Sequence, residues 1–264
     1  MARTSTKPTF LSKLTLDQIR EGVQQVFPSL KPDLSQLKLL NDGFSSYVVL
    51  IAEEVILRIA KHPEAMAGHL KEHSILPLLQ KHLPVQVPQP SWQAGPSDFF
   101  PFGVIGHRKI PGIPFSLNLG PRVDLNRIAQ DVAQFLVALH DVPLAEMTAL
   151  GFRGTDVLEA LLAEVMPTLH TYLTEEEYQR IRMWWESFLK HPSKDSFTPK
   201  LLHGDPWGEN IILNETLNGV VGIVDFEAVS IGDVAWDFAA QKYLGPGFLN
   251  QVIAQYQALG GDLE

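Results

Sequence analysis

One small β element sits inside the second half of this chain, where apolar residues otherwise repeat at helical spacing, and that combination limits the available folds. The apolar pairs Leu201-Leu202 and Ile211-Ile212 bracket a loop, His203-Gly204-Asp205-Pro206-Trp207-Gly208-Glu209-Asn210, whose His, Asp and Asn can each face a cleft. A turn at Asn218-Gly219 leads into the run Val220 to Val224, and that run ends on Asp225-Phe226-Glu227. On either side the pattern is helical. Ile128, Val132, Phe135, Leu136 and Leu139 form one stripe, and Leu158, Leu161, Leu162 and Val165 form a second. A third helix is capped by Thr174-Glu175-Glu176-Glu177 and carries Tyr178, Ile181, Trp185, Phe188 and Leu189.

The first part reads differently. Thr15-Leu16-Asp17-Gln18 has the T-x-x-Q form of a capping box and opens a short amphipathic helix with Ile19, Val23, Val26 and Phe27. Strands at 37–40, 47–51 and 55–59, with turns at Asn41-Asp42-Gly43 and Glu53-Glu54, predict a three-stranded antiparallel meander. A helix over 64–82 follows, stopped by the Pro-rich stretch from Pro84 to Pro90, and Phe99 to Ile105 gives one more strand. A β-rich part followed by a helical part predicts two lobes with a cleft between them, joined near residues 106 to 113.

Phosphoryl transfer needs the chemical inventory of the bracketed loop. A carboxylate must orient and deprotonate an attacking hydroxyl, and oxygen ligands must hold Mg²⁺ on the phosphates. Asp205 suits the first task, and Asn210 with Asp225 the second. Taken singly, Asn210 and Asp225 read more readily as turn-forming residues around a hairpin. The combination H-G-D-x-x-x-x-N is more demanding: at average composition it arises by chance on the order of once in a thousand chains of this length.

The strings HGDPWGEN, IVDFE and GDVAWDFA (the last at residues 232–239) together resemble the aminoglycoside-phosphotransferase family and its protein-kinase-like fold. The resemblance implies an α+β bilobal architecture. Residues 1–106 form a nucleotide-binding lobe of antiparallel sheet plus helix, 107–113 a hinge linker, and 114–264 a mainly helical lobe with a catalytic β-hairpin. It implies that Asp205 is the catalytic base, that Asn210 and Asp225 are the Mg²⁺ ligands, and that ATP or GTP is the donor. His203 is then a structural member of the catalytic loop, and Asp233 and Asp237 buttress it. As a helix N-cap and a first-turn acid these two also have an ordinary local explanation. Asn41 to Ser46, with Gly43, Ser45 and Ser46, occupies the place of the loop over the nucleotide phosphates. Arg58 stands where kinase relatives usually place a phosphate-binding Lys, and Glu72 on the following helix is its expected partner. Lys61 is the rival cation and points the opposite way by strand alternation, if the strand extends that far. Arg108 and Ile110 lie where the family's linker touches the purine through backbone groups.

Composition narrows the partners. Lys plus Arg number 21 against 30 Asp plus Glu, a net charge of -9. Such a surface repels nucleic acid and anionic membranes and mildly favours cationic ligands. There is no cysteine, which excludes disulfides and thiolate metal sites. The start, MARTSTKPTF, is polar and lacks the pattern of a secretory signal. No stretch approaches the roughly 18 consecutive apolar residues of a membrane span. The expected protein is cytoplasmic, a monomer or weak dimer, and its acceptor is a small-molecule hydroxyl. The acidic balance favours a cationic aminoglycoside. A macrolide, choline, homoserine or a fructosamine-type metabolite is the alternative acceptor, and a non-catalytic nucleotide-binding pseudokinase the alternative class. His140, at a helix end beside Asp141, reads as structural, and Trp184-Trp185 reads as core and its edge.

Overall fold

The computed structural model describes residues 13–30, 32–152, 157–191 and 196–263. The polar start, Met1 to Phe10, lies outside the described residues. Thr15 caps helix α1 (Leu16–Val26) with both reciprocal bonds of a capping box, and Ile19 and Val23 bury its inner face. Beyond it, β1 (Leu37–Asp42), β2 (Ser46–Ile51) and β3 (Val55–Ala60) form the expected meander. The sheet has five strands in the order β1-β2-β3-β5-β4, all antiparallel. Its last two members are β4 (Pro90–Ala94) and β5 (Val104–Arg108). Two sequence readings change here. The strand expected from Phe99 to Ile105 begins only at Val104, because the preceding residues turn tightly on a Gly103 with φ of +99°. Strand β4 was not anticipated, since it opens on a proline and buries no residue fully. As an edge strand it tolerates both features.

Between β3 and β4 runs α2 (Pro63–His82), and it belongs to both lobes. The first lobe's core gathers Ile19, Val23, Tyr47, Val49, Ile51, Leu57, Ile59, Phe100 and Val104. Ile75, Leu76 and Leu79 of α2, with Leu83, Val85 and Val87 beyond it, instead join the core of the second lobe. Gln86 reinforces the crossing: its N–H donates to Val221 O at 3.0 Å, and its carbonyl accepts from Ile223 at 2.9 Å. The division at residue 106 therefore separates the chain but not the apolar core.

The second lobe is built on α3 (Leu125–His140), whose buried stripe includes Ile128, Val132, Phe135, Leu136 and Leu139. Helix α4 (Leu144–Ala149) follows, then α5 (Val157–Tyr172) and α6 (Glu175–Leu189). Thr174 makes the predicted capping box on α6. Of the α5 stripe, Leu158 and Leu161 lie outside the residues whose side chains are described, Leu162 is half-buried and Val165 is exposed. The Trp184-Trp185 reading is corrected: α6 buries none of its residues, and Trp184 is 61% exposed. Trp184 lies parallel to the Phe188 ring one turn on, at 5.7 Å, instead of entering the core.

The expected β element divides into two. Strand β7 (Lys200–Leu202) pairs not with its neighbour in sequence but with β10 (Ser230–Gly232). Strands β8 (Ile211–Leu213) and β9 (Val220–Ile223) form a hairpin, and β6 (Ile113–Pro114) adds to its edge. Helices α7 (Ala235–Gln241) and α8 (Pro246–Ala258) close the lobe. Among the described residues no helix is long and apolar enough to cross a membrane.

Candidate active site

The loop between β7 and β8 is fastened from several directions. Asp237, fully buried on α7, accepts from His203 N–H at 3.0 Å and from Gly204 N–H at 2.7 Å. The same carboxylate meets His140 Nε2 at 3.1 Å, and His140 Nδ1 meets the Tyr256 hydroxyl of α8 at 2.8 Å. His140 is thus structural, as its position suggested. The His203 ring lies in the core against Phe226, where burial pushes its pKa down and keeps it neutral. Its Nε2–H donates to Val224 O at 3.1 Å, so Nδ1 is left to accept from Asp205 N–H at 3.2 Å. One imidazole therefore ties the loop to the end of β9. Gly204 has φ of +87°, and a Cβ there would lie 2.4 Å from Ala228 O, so only glycine fits. Gln241 adds a bond from its amide to Pro206 O.

Like Glu209 in the same loop, Asp205 is exposed. Partial desolvation raises its pKa; His203 opposes that rise, and the Asp225 and Asp237 carboxylates add to it. Asn210 Nδ2 donates to Asp205 O at 2.8 Å, which fixes the amide and turns its Oδ1 elsewhere. Asp225 follows β9 in the left-handed conformation, φ 66° and ψ 66°. That conformation costs a non-glycine residue about 1 kcal/mol. Its Oδ1 is buried without a hydrogen-bond partner and lies 3.5 Å from Arg58 Nη2.

Asn210 and Asp225 line a cavity of about 430 Å³ between the lobes, together with Gly43, Ser45, Ser46, Arg58, Glu72 and Ile110. Asp205 and Arg108 are not among its lining residues. Asp205 stands outside it on the loop that supplies Asn210, and the Arg108 side chain is exposed. The Arg108 carbonyl accepts from His107 Nδ1–H at 2.9 Å, and the next amide, Lys109 N–H, donates to Glu54 O at 2.7 Å. Linker backbone groups are thus partly committed within the protein.

At the back of the cavity, Arg58 Nη1 donates to Glu72 Oε2 at 2.5 Å. Glu72 Oε1 accepts from Phe226 N–H at 3.1 Å, so one buried carboxylate holds the cation and the segment after Asp225. Lys61 turns away, to Asp42 and the Gly43 carbonyl, with its ammonium 4.2 Å from the Tyr47 ring centre. That contact stitches the loop between β1 and β2. Gly43 N–H already donates to Ser46 O at 3.1 Å, and Ser46 Oγ pairs with His69 at 2.9 Å. Fewer loop donors therefore face the cavity than the sequence suggested. Asp233 differs from Asp237: it lies one residue before the N-cap position, Val234, and accepts from Ala235 N–H at 2.9 Å.

Two residues of the site went unread in the sequence. Glu227 accepts from Arg58 Nη2 at 2.5 Å and lines the cavity. His69 is buried behind Ser46, and burial, then the charges of Arg58, His73 and His62, depress its pKa to about 3. Glu227 had a signal, its place two residues after Asp225. His69 and His73 share a helix face at four-residue spacing, which marks inward histidines but not their partners.

The residues present fit Mg²⁺. An orphaned carboxylate oxygen and an amide oxygen are the hard donors this cation takes. Among the described residues no group of three His, Cys, Asp or Glu side chains is placed to hold a metal. Two protein oxygens would leave the remaining positions to phosphate and water.

This fold has known counterparts. The sequence profile of the Phosphotransferase enzyme family matches residues 36–264, and the chain belongs to that family. Viomycin phosphotransferase of Streptomyces vinaceus is 40% identical over 67 residues, covering 24% of this chain and 22% of that protein. The match thus spans under a quarter of that relative's length. An APH(2″) enzyme solved with GDP and kanamycin superposes with a TM-score of 0.78 at 25% identity, covering 89% of this chain and 81% of that one. The macrolide 2′-phosphotransferase MphH of Brachybacterium faecium, solved as apoenzyme, gives 0.69 at 18% identity, over 93% and 84%. The fold is the bilobal kinase-like fold of these phosphotransferases.

Proposed function

We propose that the protein transfers the γ-phosphate of ATP or GTP, with Mg²⁺, to a hydroxyl of a small cationic molecule of the aminoglycoside type. The observation that carries this reading is the convergence of Asn210, Asp225 and Arg58 on one interlobe cavity, with Asp205 on the loop that supplies Asn210. Asn210 and Asp225 would hold the cation, which when bound neutralises charge on the phosphates. Arg58 meets the phosphates from the first lobe as a planar donor. Asp205 accepts a hydrogen bond from the acceptor hydroxyl, fixes its line of attack, and takes its proton as the new P–O bond forms and the bond from the γ-phosphorus to the bridging oxygen breaks, releasing the nucleoside diphosphate. Most of the acceleration is positioning and electrostatics. The net charge of -9 supports a cationic acceptor.

The test is incubation with Mg-ATP and Mg-GTP against kanamycin, other aminoglycosides, viomycin, macrolides, choline and ketosamines. Mass spectrometry then seeks an acceptor heavier by one phosphoryl group. Nucleotide binding without transfer to any acceptor would favour a pseudokinase. A macrolide product alone would move the acceptor class.

The raised pKa of Asp205 gives a pH prediction. A base works only when ionised, so activity falls as pH drops through its pKa. The acid limb of kcat/KM therefore lies above the ordinary aspartate value of 3.8. A pH–rate profile checks this, and the limb should vanish from the residual activity of Asp205→Asn.

A further inference from the structure

Both terminal nitrogens of Arg58 are held by carboxylates. Nη1 is bonded to Glu72 Oε2 and Nη2 to Glu227 Oε2, each at 2.5 Å, with Asp225 Oδ1 3.5 Å from Nη2. The two bonded carboxylates differ in freedom. The Glu72 side chain is 3% exposed and also holds Phe226 N–H, so it is committed to the fold. That of Glu227 is 29% exposed and faces the cavity. Helix α2 makes room for it: a Cβ at Gly68 would lie 3.0 Å from Glu227 Oε1 and 3.3 Å from its Cγ. One guanidinium thus faces the three carboxylates Glu72, Asp225 and Glu227, leaving a surplus of negative charge where a polyphosphate must enter.

We propose that Glu227 is a specificity-determining residue of the phosphate site. It holds Nη2 of Arg58 at the cavity wall, where a phosphate would bind, and so makes the site discriminate against polyphosphate arriving without a divalent cation. The inference rests on the reading that this cavity takes a nucleotide. Free nucleotide must displace Glu227 from Nη2 and then lie beside two uncompensated acids. Metal-bound nucleotide brings positive charge that offsets them, so the exchange is easier. Glu72 cannot serve as the exchanging group, because leaving Arg58 would strand a buried carboxylate and a buried cation.

Isothermal titration calorimetry with ATP and with GTP, each in EDTA and in Mg²⁺, tests this on the wild type, Glu227→Gln and Gly68→Ala. Glu227→Gln should bind metal-free nucleotide about tenfold more tightly than wild type, the gain expected when a competent state populated about one part in ten is released. Its affinity for the Mg-nucleotide should move less than about threefold, because the cation already offsets the charge that was removed. Gly68→Ala keeps the carboxylate but crowds it off Arg58, and should shift metal-free binding in the same direction by a smaller factor. A merely structural role predicts weaker binding in both conditions, and that result, or no change, overturns the proposal. If Glu227→Gln melts well below wild type, Gly68→Ala decides, since alanine suits a helix interior; no gain there overturns it equally. A wild type that binds neither nucleotide in either condition sinks the nucleotide reading and this inference together. A wild type that binds, with variants that gain nothing, sinks this inference alone.

Discussion

Replacing Asp205 by alanine should lower kcat by about a hundredfold or more, the scale of a positioned general base, while nucleotide affinity stays close to wild type. The two halves of that expectation have separate causes. Asp205 lies outside the cavity lined by Arg58, Asn210 and Asp225, so its removal leaves the groups that would meet nucleotide in place. Its carboxylate is exposed and accepts no hydrogen bond among the described residues, so truncation orphans no partner. Stability should therefore move within about 0.5 kcal/mol, as for an ordinary surface change. Single-turnover rates, a nucleotide titration and a melting curve on one preparation check all three points. Near-wild-type turnover would remove Asp205 from the role of base.

Asp237→Ala should do the opposite, breaking the fold locally and activity only as a result. The carboxylate is fully buried and satisfies the N–H groups of His203 and Gly204 as well as His140 Nε2. Each buried donor left without a partner costs about 1 to 3 kcal/mol, so the loss should reach about 3 kcal/mol or more. For a chain of this size that lowers Tm by about 10 °C. Asp237→Asn should recover only part, because one oxygen becomes an amide that faces a donor. A Tm within about 2 °C of wild type would show that the loop does not depend on this anchor.

What the sequence made legible was mostly local. Asp205, Asn210 and Asp225 could be singled out together because a short loop and the end of the next strand hold all three, and local spacing carries that information. Arg58 and Glu72 came from the family resemblance, as the place of the phosphate-binding cation and its expected partner, and the structure does pair them. Contacts of long sequence separation were not legible. Nothing near Leu201 indicates that β7 pairs with β10 across Ser230 to Gly232. Asp233 and Asp237 look equivalent in the string, yet only the second sits far enough along α7 to face the loop. Trp185 follows helical spacing beside Trp184, but periodicity cannot say that α6 has little to pack against except α5. Glu227 stands next to a stronger signal, the acid two residues earlier at the end of the apolar strand. Its importance appears only when a strand 169 residues away brings Arg58 to it.

The shared placement of α2 has a mechanical consequence. A chain cut after residue 106 would leave Ile75, Leu76, Leu79, Leu83, Val85 and Val87 with no cover, so the amino-terminal portion is not a module able to stand alone. Heating should therefore melt both halves in one cooperative event. Opening of the jaw around a ligand must either flex this helix or drag its sheet across it. Pro77, which cannot supply one of the helix's internal bonds, is where a bend meets least resistance.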